Sequence, residues 1–385
     1  MSSTLDFCRE LEMTLQEAFS QVKDHRRGPA VRHDLKEMIV MAICAVLCGC
    51  DGWVDVADWC EEEEDWLRTF LELAKGTPSH DTFGEVFRVL DAKIFESCFR
   101  QWIADIVGVV EGVVAFDGKT VRGSKDGPNT ALHMVSAYAT ELGVSLGQEG
   151  TAGKGNELAA IKALLDTLVL KGCIVTMDAL GCQTDVVEKI VAQGGDYVLA
   201  VKDNQKHLSQ AVVEFFATAE ALEFRYIDVQ KRVWVEKDHG RLETRRATFV
   251  TDVSWMDKPM RENWKKLAAV GMIESEQETK GKVSVERRYF IVSSGVKTVE
   301  QFALTARAHW GVEAMHWVLD VTFREDDCRV RKGHAARNLS AIRKFALSAL
   351  RNDKRHPDRS LRRRRKLADR RPDYRVELLG LKLRQ

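Results

Sequence analysis

The chain has 385 residues, 45% of them hydrophobic and 30% charged, and its 58 basic residues balance its 58 acidic ones. This length exceeds what a single hydrophobic core usually serves, so we expect two or three folded domains. No apolar run reaches the roughly 20 residues that a membrane helix needs, and no targeting segment is recognised, which predicts a cytoplasmic protein without a membrane partner. The nine cysteines lack paired metal-binding spacing, which favours reduced thiols over a zinc site.

The neutral total conceals two oppositely charged ends. Residues 1–116 carry 11 basic and 22 acidic residues, a net charge of −11, whereas residues 324–385 carry 21 and 8, a net charge of +13. Such asymmetry indicates a polyanionic partner, with a merely solvated surface as the alternative. Residues 354–375 contain too few apolar residues to pack, and we expect residues 351–385 to form a basic C-terminal tail.

The first part of the chain shows helical periodicity throughout. Apolar positions recur at helical spacing over residues 7–106, which predicts a helical N-terminal domain over residues 1–108. Within it, Ser79 follows a break at Gly76 and Pro78, a pattern typical of a helix N-cap. We expect this domain to help bind the polyanion.

Short apolar runs bounded by glycine predict strands over residues 109–208. The strands "VVAFDGKT", "ALHMVSAYAT" and "GVSLGQEGT" precede a helix that begins at Glu157. The strands "CIVTMDAL" and "DYVLAVK" then alternate with the helix "QTDVVEKIVAQG". This order is typical of the α/β fold class with a ribonuclease H-like, mixed-sheet core.

Residues 209–298 predict a β-rich insertion in that core. Two pairs of strands flank polar turns, the first at His239 and Gly240 and the second at Gly281. Helical periodicity returns over residues 299–350 and is expected to complete the ribonuclease H-like core.

Two aspartates lie at the ends of predicted apolar strands. Asp117 follows "VVAF" and Asp178 follows "CIVTM". A single aspartate there is more often a turn cap, but if the strands are neighbours, both carboxylates project from one edge of the sheet. Carboxylate oxygens are the ligands that Mg²⁺ prefers, and a pair of such ions serves phosphodiester chemistry.

Glu313 is the candidate for a third carboxylate. In "HWGVEAMHWVLD" it shares one helical face with Trp317 and Asp320, at positions i, i+4 and i+7. The alternative is that Trp310 and Trp317 are core residues and that Glu313 merely flanks them. The residues alone leave this choice open.

Three cations closely follow the predicted strands. Lys119, Arg122 and Lys202 are candidates to neutralise a phosphate near the metal, with ordinary surface charge as the alternative. A Walker phosphate loop is excluded for "GVVAFDGKT", because five residues instead of four separate Gly112 from Gly118 and the stretch is strand-like.

Six ordered segments carry a resemblance to a known family. They are "FDGKTVRGS", "KGNELAAIKALLD", "IVTMDALGCQ", "GGDYVLAVKDNQ", "HGRLETR" and "HWGVEAMHWVLDVTFREDDCRVRKGHAARNLSAIR". In this order they resemble the motifs of the H-repeat-associated, ISAs-type insertion-sequence transposases of bacteria. The resemblance spans nearly the whole chain.

The resemblance implies a DDE transposase in which Asp117, Asp178 and Glu313 are the catalytic residues and metal ligands. The implied cofactor is Mg²⁺ or Mn²⁺, in two ions. The implied partner is double-stranded DNA with terminal inverted repeats, bound by a homodimer in the bacterial cytoplasm, on the nucleoid. The residues expected to contact DNA are Lys119, Arg122, Lys202, His309, Arg329 and Arg331.

Related transposases have a Tyr, an Arg and a Lys spaced around the catalytic Glu. Ala306, His309 and Asp320 stand at those positions here, so the motif linked to hairpin-forming chemistry is not reproduced. The predicted function is metal-dependent DNA cleavage and strand transfer at insertion-sequence ends. Two alternatives stay open: a nuclease of the same fold, and a catalytically silent DNA-binding remnant of a mobile element.

Overall fold

The structure is a computed structural model that describes residues 15–28, 31–128, 130–151, 153–238, 241–279 and 282–384. The predicted turns at His239, Gly240 and Gly281 lie outside these residues. The helices are α1 (Leu15–Ala18), α2 (Leu35–Cys48), α3 (Trp53–Glu62), α4 (Glu64–Leu67), α5 (His80–Val89), α6 (Ala92–Val107), α7 (Glu157–Leu165), α8 (Thr184–Ala192), α9 (Lys206–Ala221), α10 (Lys258–Asn263), α11 (Val299–Ala308), α12 (Trp310–Val321), α13 (Ala335–Arg351), α14 (Leu361–Arg370) and α15 (Pro372–Leu379). The strands are β1 (Gly112–Thr120), β2 (His133–Ala139), β3 (Val144–Thr151), β4 (Cys173–Met177), β5 (Asp196–Val201), β6 (Val229–Asp238), β7 (Arg241–Val250), β8 (Leu267–Thr279) and β9 (Lys282–Ser293).

The chain divides into two compact units, each built from separate stretches of sequence. The helical unit comprises Met1–Val109, Gly118–Glu157 and Glu313–Gln385, and the sheet unit comprises Val110–Asp117 and Leu158–Val312. The two units therefore do not follow the domain boundaries predicted from the sequence. The C-terminal helices join the N-terminal ones, and the strands of the predicted insertion share a sheet with those of the core.

Helix α2 lies at the centre of the helical unit. Its residues are buried almost without exception, because it packs against α13, α14 and α3. Asp34 caps its start by accepting a hydrogen bond from the backbone N–H of Glu37 at 3.0 Å. Among the residues that the structure describes, no single helix is long and apolar enough to span a membrane; α2 and α3 meet that test only as a pair bent by 97°.

The predicted cap at Ser79 is confirmed. Helix α5 begins at His80, and the Ser79 hydroxyl accepts a hydrogen bond from the backbone N–H of Thr82 at 3.4 Å. Two cysteines, Cys44 and Cys48, are buried in α2. Burial raises the pKa of the Cys44 thiol to about 12, which keeps it protonated.

The prediction of an unpacked basic tail over residues 351–385 is wrong. This stretch forms α14 and α15, and it buries Arg364, Arg365 and Arg375. The Arg375 guanidinium stacks on the ring of Trp66 at 4.2 Å and pairs with Glu63 at 2.9 Å. Arginines replace apolar side chains here, because their stems pack while their charged ends donate to the protein's own acceptors.

The sheet unit is built on a mixed sheet whose strands lie in the order β1-β4-β5-β9-β8-β7-β6. Strands β1, β4 and β5 are parallel, and β9, β8, β7 and β6 continue the sheet as an antiparallel meander. Helix α11 covers the meander through Phe302, whose ring lies 5.5 Å from that of Phe249. A Cβ at Gly271 would lie 2.3 Å from the Phe302 ring, so only glycine fits beneath it. The chain is therefore of the mixed α/β class.

We expect Arg365→Met to lower the free energy of unfolding by about 3 kcal/mol. Arg365 is buried, donates to the backbone carbonyls of Val46 and Thr322 at 3.0 and 2.6 Å and pairs with Asp51 at 3.1 Å, and the substitution removes all of these interactions. The matched control is Arg363→Met on the exposed face of α14, which should change stability by less than about 0.5 kcal/mol. Urea unfolding followed by circular dichroism measures both, and equal effects would contradict a structural role for Arg365.

Candidate active site

The two predicted aspartates lie at the same edge of the sheet. Strands β1 and β4 are parallel neighbours, with Phe116 opposite Met177, and each aspartate is the next residue along its strand. Asp117 is half-buried and Asp178 is exposed. The Asp178 side chain also accepts a hydrogen bond from the backbone N–H of Leu180 at 3.0 Å, so it caps a short turn while remaining open to a ligand.

Two amides that sequence reasoning missed hold the loop after Asp178. The Asn204 side chain donates to the carbonyl oxygen of Ala179 at 2.6 Å, and the Gln205 side chain donates to that of Cys182 at 3.1 Å. Both amides follow β5, whose carboxyl end also presents the exposed Lys202 at this edge. The signal was visible in "KDNQ", where two amides follow a buried strand.

Glu313 lies in the first turn of α12 and is exposed. Val312, Met315 and Leu319 form the buried face of this helix. The alternative that Trp317 is a core residue is wrong, since 62% of it is exposed. Glu313 therefore stands on a solvent-facing surface beside an exposed aromatic ring.

The residues that follow Asp117 are tightly packed within the helical unit. A Cβ at Gly118 would lie 2.2 Å from the Glu157 carboxylate and 2.5 Å from Nε2 of His133. Thr120 Oγ1 lies 3.0 Å from Nδ1 of the same histidine. The motif "DGKT" thus has a steric basis as well as a chemical one.

Lys119 is held by three carboxylates. Its ammonium group lies 2.7 Å from Asp320, 3.0 Å from Glu325 and 3.0 Å from Asp326, and only 10% of its side chain is exposed. Burial would lower the pKa of Lys119, but Glu325 and the other two acids raise it above its usual range. This surrounding does not favour the predicted contact between Lys119 and DNA.

The other predicted cations have different settings. Arg122 is 82% exposed at its side chain, and Arg331 donates from Nε to the carbonyl oxygen of Gly123 at 3.0 Å, so these two lie on one surface. Arg329 is exposed on the same segment as Arg331. His309 is half-buried at the end of α11, in the sheet unit.

The donor set fits a hard divalent cation in part. Asp117 and Asp178 offer carboxylate oxygens at one edge, which Mg²⁺ or Mn²⁺ prefers. Within the described part of the chain, no three His, Cys, Asp or Glu side chains stand close enough together to hold a metal ion.

Comparison with known proteins places the chain in a family. A model described as "DDE_Tnp_1-associated" matches residues 16–103, and one described as "Transposase DDE domain" matches residues 108–349. The chain belongs to the DDE transposase family. The resemblance to H-repeat-associated transposases seen in the sequence motifs is confirmed with it.

Two relatives and one solved structure are similar to this DDE family member. It is 38% identical over 348 residues to "H repeat-associated putative transposase YhhI" of Escherichia coli (strain K12), covering 88% of this chain and 91% of that protein. It is 42% identical over 279 residues to "Uncharacterized protein in dhlA 3'region" of Xanthobacter autotrophicus, covering 71% and 92%. A piggyBac transposase in a synaptic complex with hairpin DNA aligns with a TM-score of 0.44 and 11% identity, covering 96% of this chain and 77% of that one.

We expect Gly118→Ala to lower the free energy of unfolding by about 2 kcal/mol, because its Cβ would overlap Glu157 and His133. The matched control is Gly155→Ala, where an added Cβ meets nothing within 4 Å and should change stability by less than about 0.5 kcal/mol. Urea unfolding of both variants is the measurement. A Gly118→Ala protein as stable as the Gly155→Ala protein would contradict the packing described.

We expect the contribution of Glu325 to stability to be lost in acid. Burial would raise its pKa, but Lys119 and Arg343 outweigh burial and lower it to about 2, below the ordinary value of 4.5. A depressed carboxyl pKa stabilises the fold above about pH 4.5, and this stabilisation is lost as the pH falls toward about 2. The stability advantage of the wild type over Glu325→Gln should therefore shrink by on the order of 2 kcal/mol between about pH 6 and about pH 3. Urea unfolding at both pH values measures the difference, which a constant advantage would contradict.

Proposed function

We propose that this chain is an insertion-sequence transposase that cleaves DNA at the ends of its element and joins the freed strand to a target. The observation that carries this proposal is the position of Asp117 and Asp178, which directly follow the last paired residues of two neighbouring parallel strands. The order β1, β2, β3, α7, β4, α8, β5 supports a ribonuclease H-like core. Membership of the DDE transposase family supports the same function.

We propose that Asp117, Asp178 and Glu313 hold two divalent ions, Mg²⁺ or Mn²⁺. When bound, such ions activate the attacking oxygen and stabilise the leaving oxygen of a phosphodiester. The chain's own part is to fix the ligands. Strands β1 and β4 carry the two aspartates on rigid backbone, and Asn204 braces the loop after Asp178.

The proposed reaction has two steps. Water attacks the phosphodiester at the element end, a new P–O bond forms, and the bond to the 3′ oxygen breaks, which frees a 3′-hydroxyl. That hydroxyl then attacks a target phosphodiester, and the target's own 3′ oxygen leaves with a proton. The protein forms no covalent bond to DNA in either step.

The proposed DNA partner is a duplex with terminal inverted repeats, bound by a homodimer on the bacterial nucleoid in the cytoplasm. Arg122, Lys202, Arg329 and Arg331 are exposed, which supports contacts between them and the phosphate backbone. His309, at the end of α11, is also proposed to contact DNA. Because phosphate contacts release counterions, the affinity for DNA should fall steeply as salt is raised.

We expect Asp117→Asn, Asp178→Asn and Glu313→Gln each to lower the rate of strand cleavage in Mg²⁺ by roughly 10² to 10³-fold, since each removes a charged ligand at the reacting centre. The measurement is single-turnover cleavage of a duplex that carries the element end. Each variant should keep its affinity for that duplex in EDTA, measured by gel shift.

Matched controls are Asp228→Asn and Glu300→Gln, which neutralise exposed acids of the sheet unit and should leave cleavage unchanged. Wild-type cleavage by any one of the three ligand variants would overturn the metal-site assignment.

A duplex with a pre-cleaved 3′ end separates the alternatives. A transposase joins it to target DNA, a nuclease does not, and a silent DNA-binding remnant neither cuts nor joins.

A further inference from the structure

The charges around Lys119 form a nearly closed ionic cluster, which we name the Lys119 clasp. Its members are Lys119, Asp320, Glu325 and Asp326. An ammonium group has three hydrogens to donate, and the clasp supplies three carboxylates within 3.0 Å. Lys119 donates hydrogen bonds to Glu325 and Asp326 and forms an ion pair with Asp320, so these carboxylates already neutralise its charge.

The charges of the clasp are balanced, and its centre at Lys119 and Glu325 is shielded from water. Glu325 is 1% exposed and is approached by the Arg343 guanidinium at 3.9 Å, and Arg122 approaches Asp326 at 3.5 Å. Three basic groups thus meet three acidic ones. Charges attract more strongly in a medium of low dielectric constant than in water, and removing one partner of a buried ion pair leaves the other charge uncompensated.

Backbone contacts also join the two segments that carry the clasp. The backbone N–H of Arg122 donates to Asp326 at 3.1 Å. A Cβ at Gly123 would lie 2.1 Å from the carbonyl oxygen of Cys328, so the two segments approach as closely as glycine allows. Residues 119–123 and residues 320–328 are therefore held together along their length.

The two clasped segments have distinct origins in the chain. Lys119 comes two residues after Asp117 on β1, and Asp320 lies on α12 seven residues after Glu313, about 10 Å along the same helical face. Each segment thus leads directly to one of the proposed metal ligands.

We propose that Lys119 is a positioning residue, which ties the helix that carries Glu313 to the chain that leaves the Asp117 strand. This role rests on the function proposed above. It replaces the contact with DNA that the sequence suggested for Lys119. The two roles predict different kinetics, because a phosphate contact acts on DNA affinity whereas a positioning residue acts on the rate of the bound complex.

The test uses two variants of the full chain and one control. Lys119→Met removes the central cation. Asp320→Ala removes only the link to α12 and leaves Lys119 paired with Glu325 and Asp326, so it keeps the test valid if Lys119→Met does not fold. The control is Lys125→Met, which makes the same chemical change at an exposed lysine on the same segment.

The first readout needs neither metal nor DNA. Hydrogen–deuterium exchange of peptides from α12 in the metal-free protein should be faster by on the order of tenfold in Asp320→Ala and in folded Lys119→Met. It should be unchanged in Lys125→Met. Unchanged exchange of α12 in Asp320→Ala would overturn the proposal.

The second readout is single-turnover cleavage of end-containing DNA, measured as rate against DNA concentration. We expect the rate at saturating DNA to fall on the order of 10²-fold in Asp320→Ala, with the half-saturating concentration within about twofold of wild type. A Lys119→Met protein with a normal saturating rate, a raised half-saturating concentration and a salt slope reduced by about 1 would instead show a phosphate contact and overturn the proposal. If the wild type does not cleave, the proposed function fails, while the exchange of α12 still decides whether the clasp positions that helix.

Discussion

Five paired positions join β1 to β4, from Gly112 opposite Cys173 to Phe116 opposite Met177. This parallel pairing brings together two aspartates that are far apart in the sequence, because the carboxyl ends of parallel strands meet at one edge of a sheet. A slip of one residue would turn one carboxylate to the other face. The buried side chains of both strands oppose such a slip. The chemistry proposed for this chain thus depends first on a backbone register.

Much of the sheet edge could be predicted because its signals are local. Asp117 and Asp178 each follow a run of mostly apolar, largely buried residues, and Ser79 follows a break in helical periodicity. Such patterns depend on nearest neighbours along the chain, which is the information a single sequence holds. Glu313 was harder, since an acid on an amphipathic helix is equally typical of a solvated face. The structure shows that Trp317 is exposed and is therefore not a core residue, and the role of Glu313 stays a prediction.

The sequence was least informative where distant residues or buried charge decide the outcome. Residues 351–385 lack the apolar pattern of a packed segment, yet Arg365 and Arg375 are buried there, because carbonyl oxygens and aromatic rings replace aliphatic neighbours. Lys119 resembles a phosphate ligand until its partners, some two hundred positions later, are known. An amino-acid count does not separate buried arginines and lysines from exposed ones, although the two groups have different roles.

Packing of α13 and α14 against α2 bears on how the protein is made. The helical unit includes residues from both the early and the late parts of the chain, while the sheet unit ends at Val312. During synthesis the sheet unit can therefore fold first. The apolar surface of α2 stays uncovered until α13 and α14 have been synthesised. A shortened product that lacks α13 and α14 would retain the two aspartates but leave α2 without its cover. Such a product would be a target for chaperones and proteases before it could meet DNA.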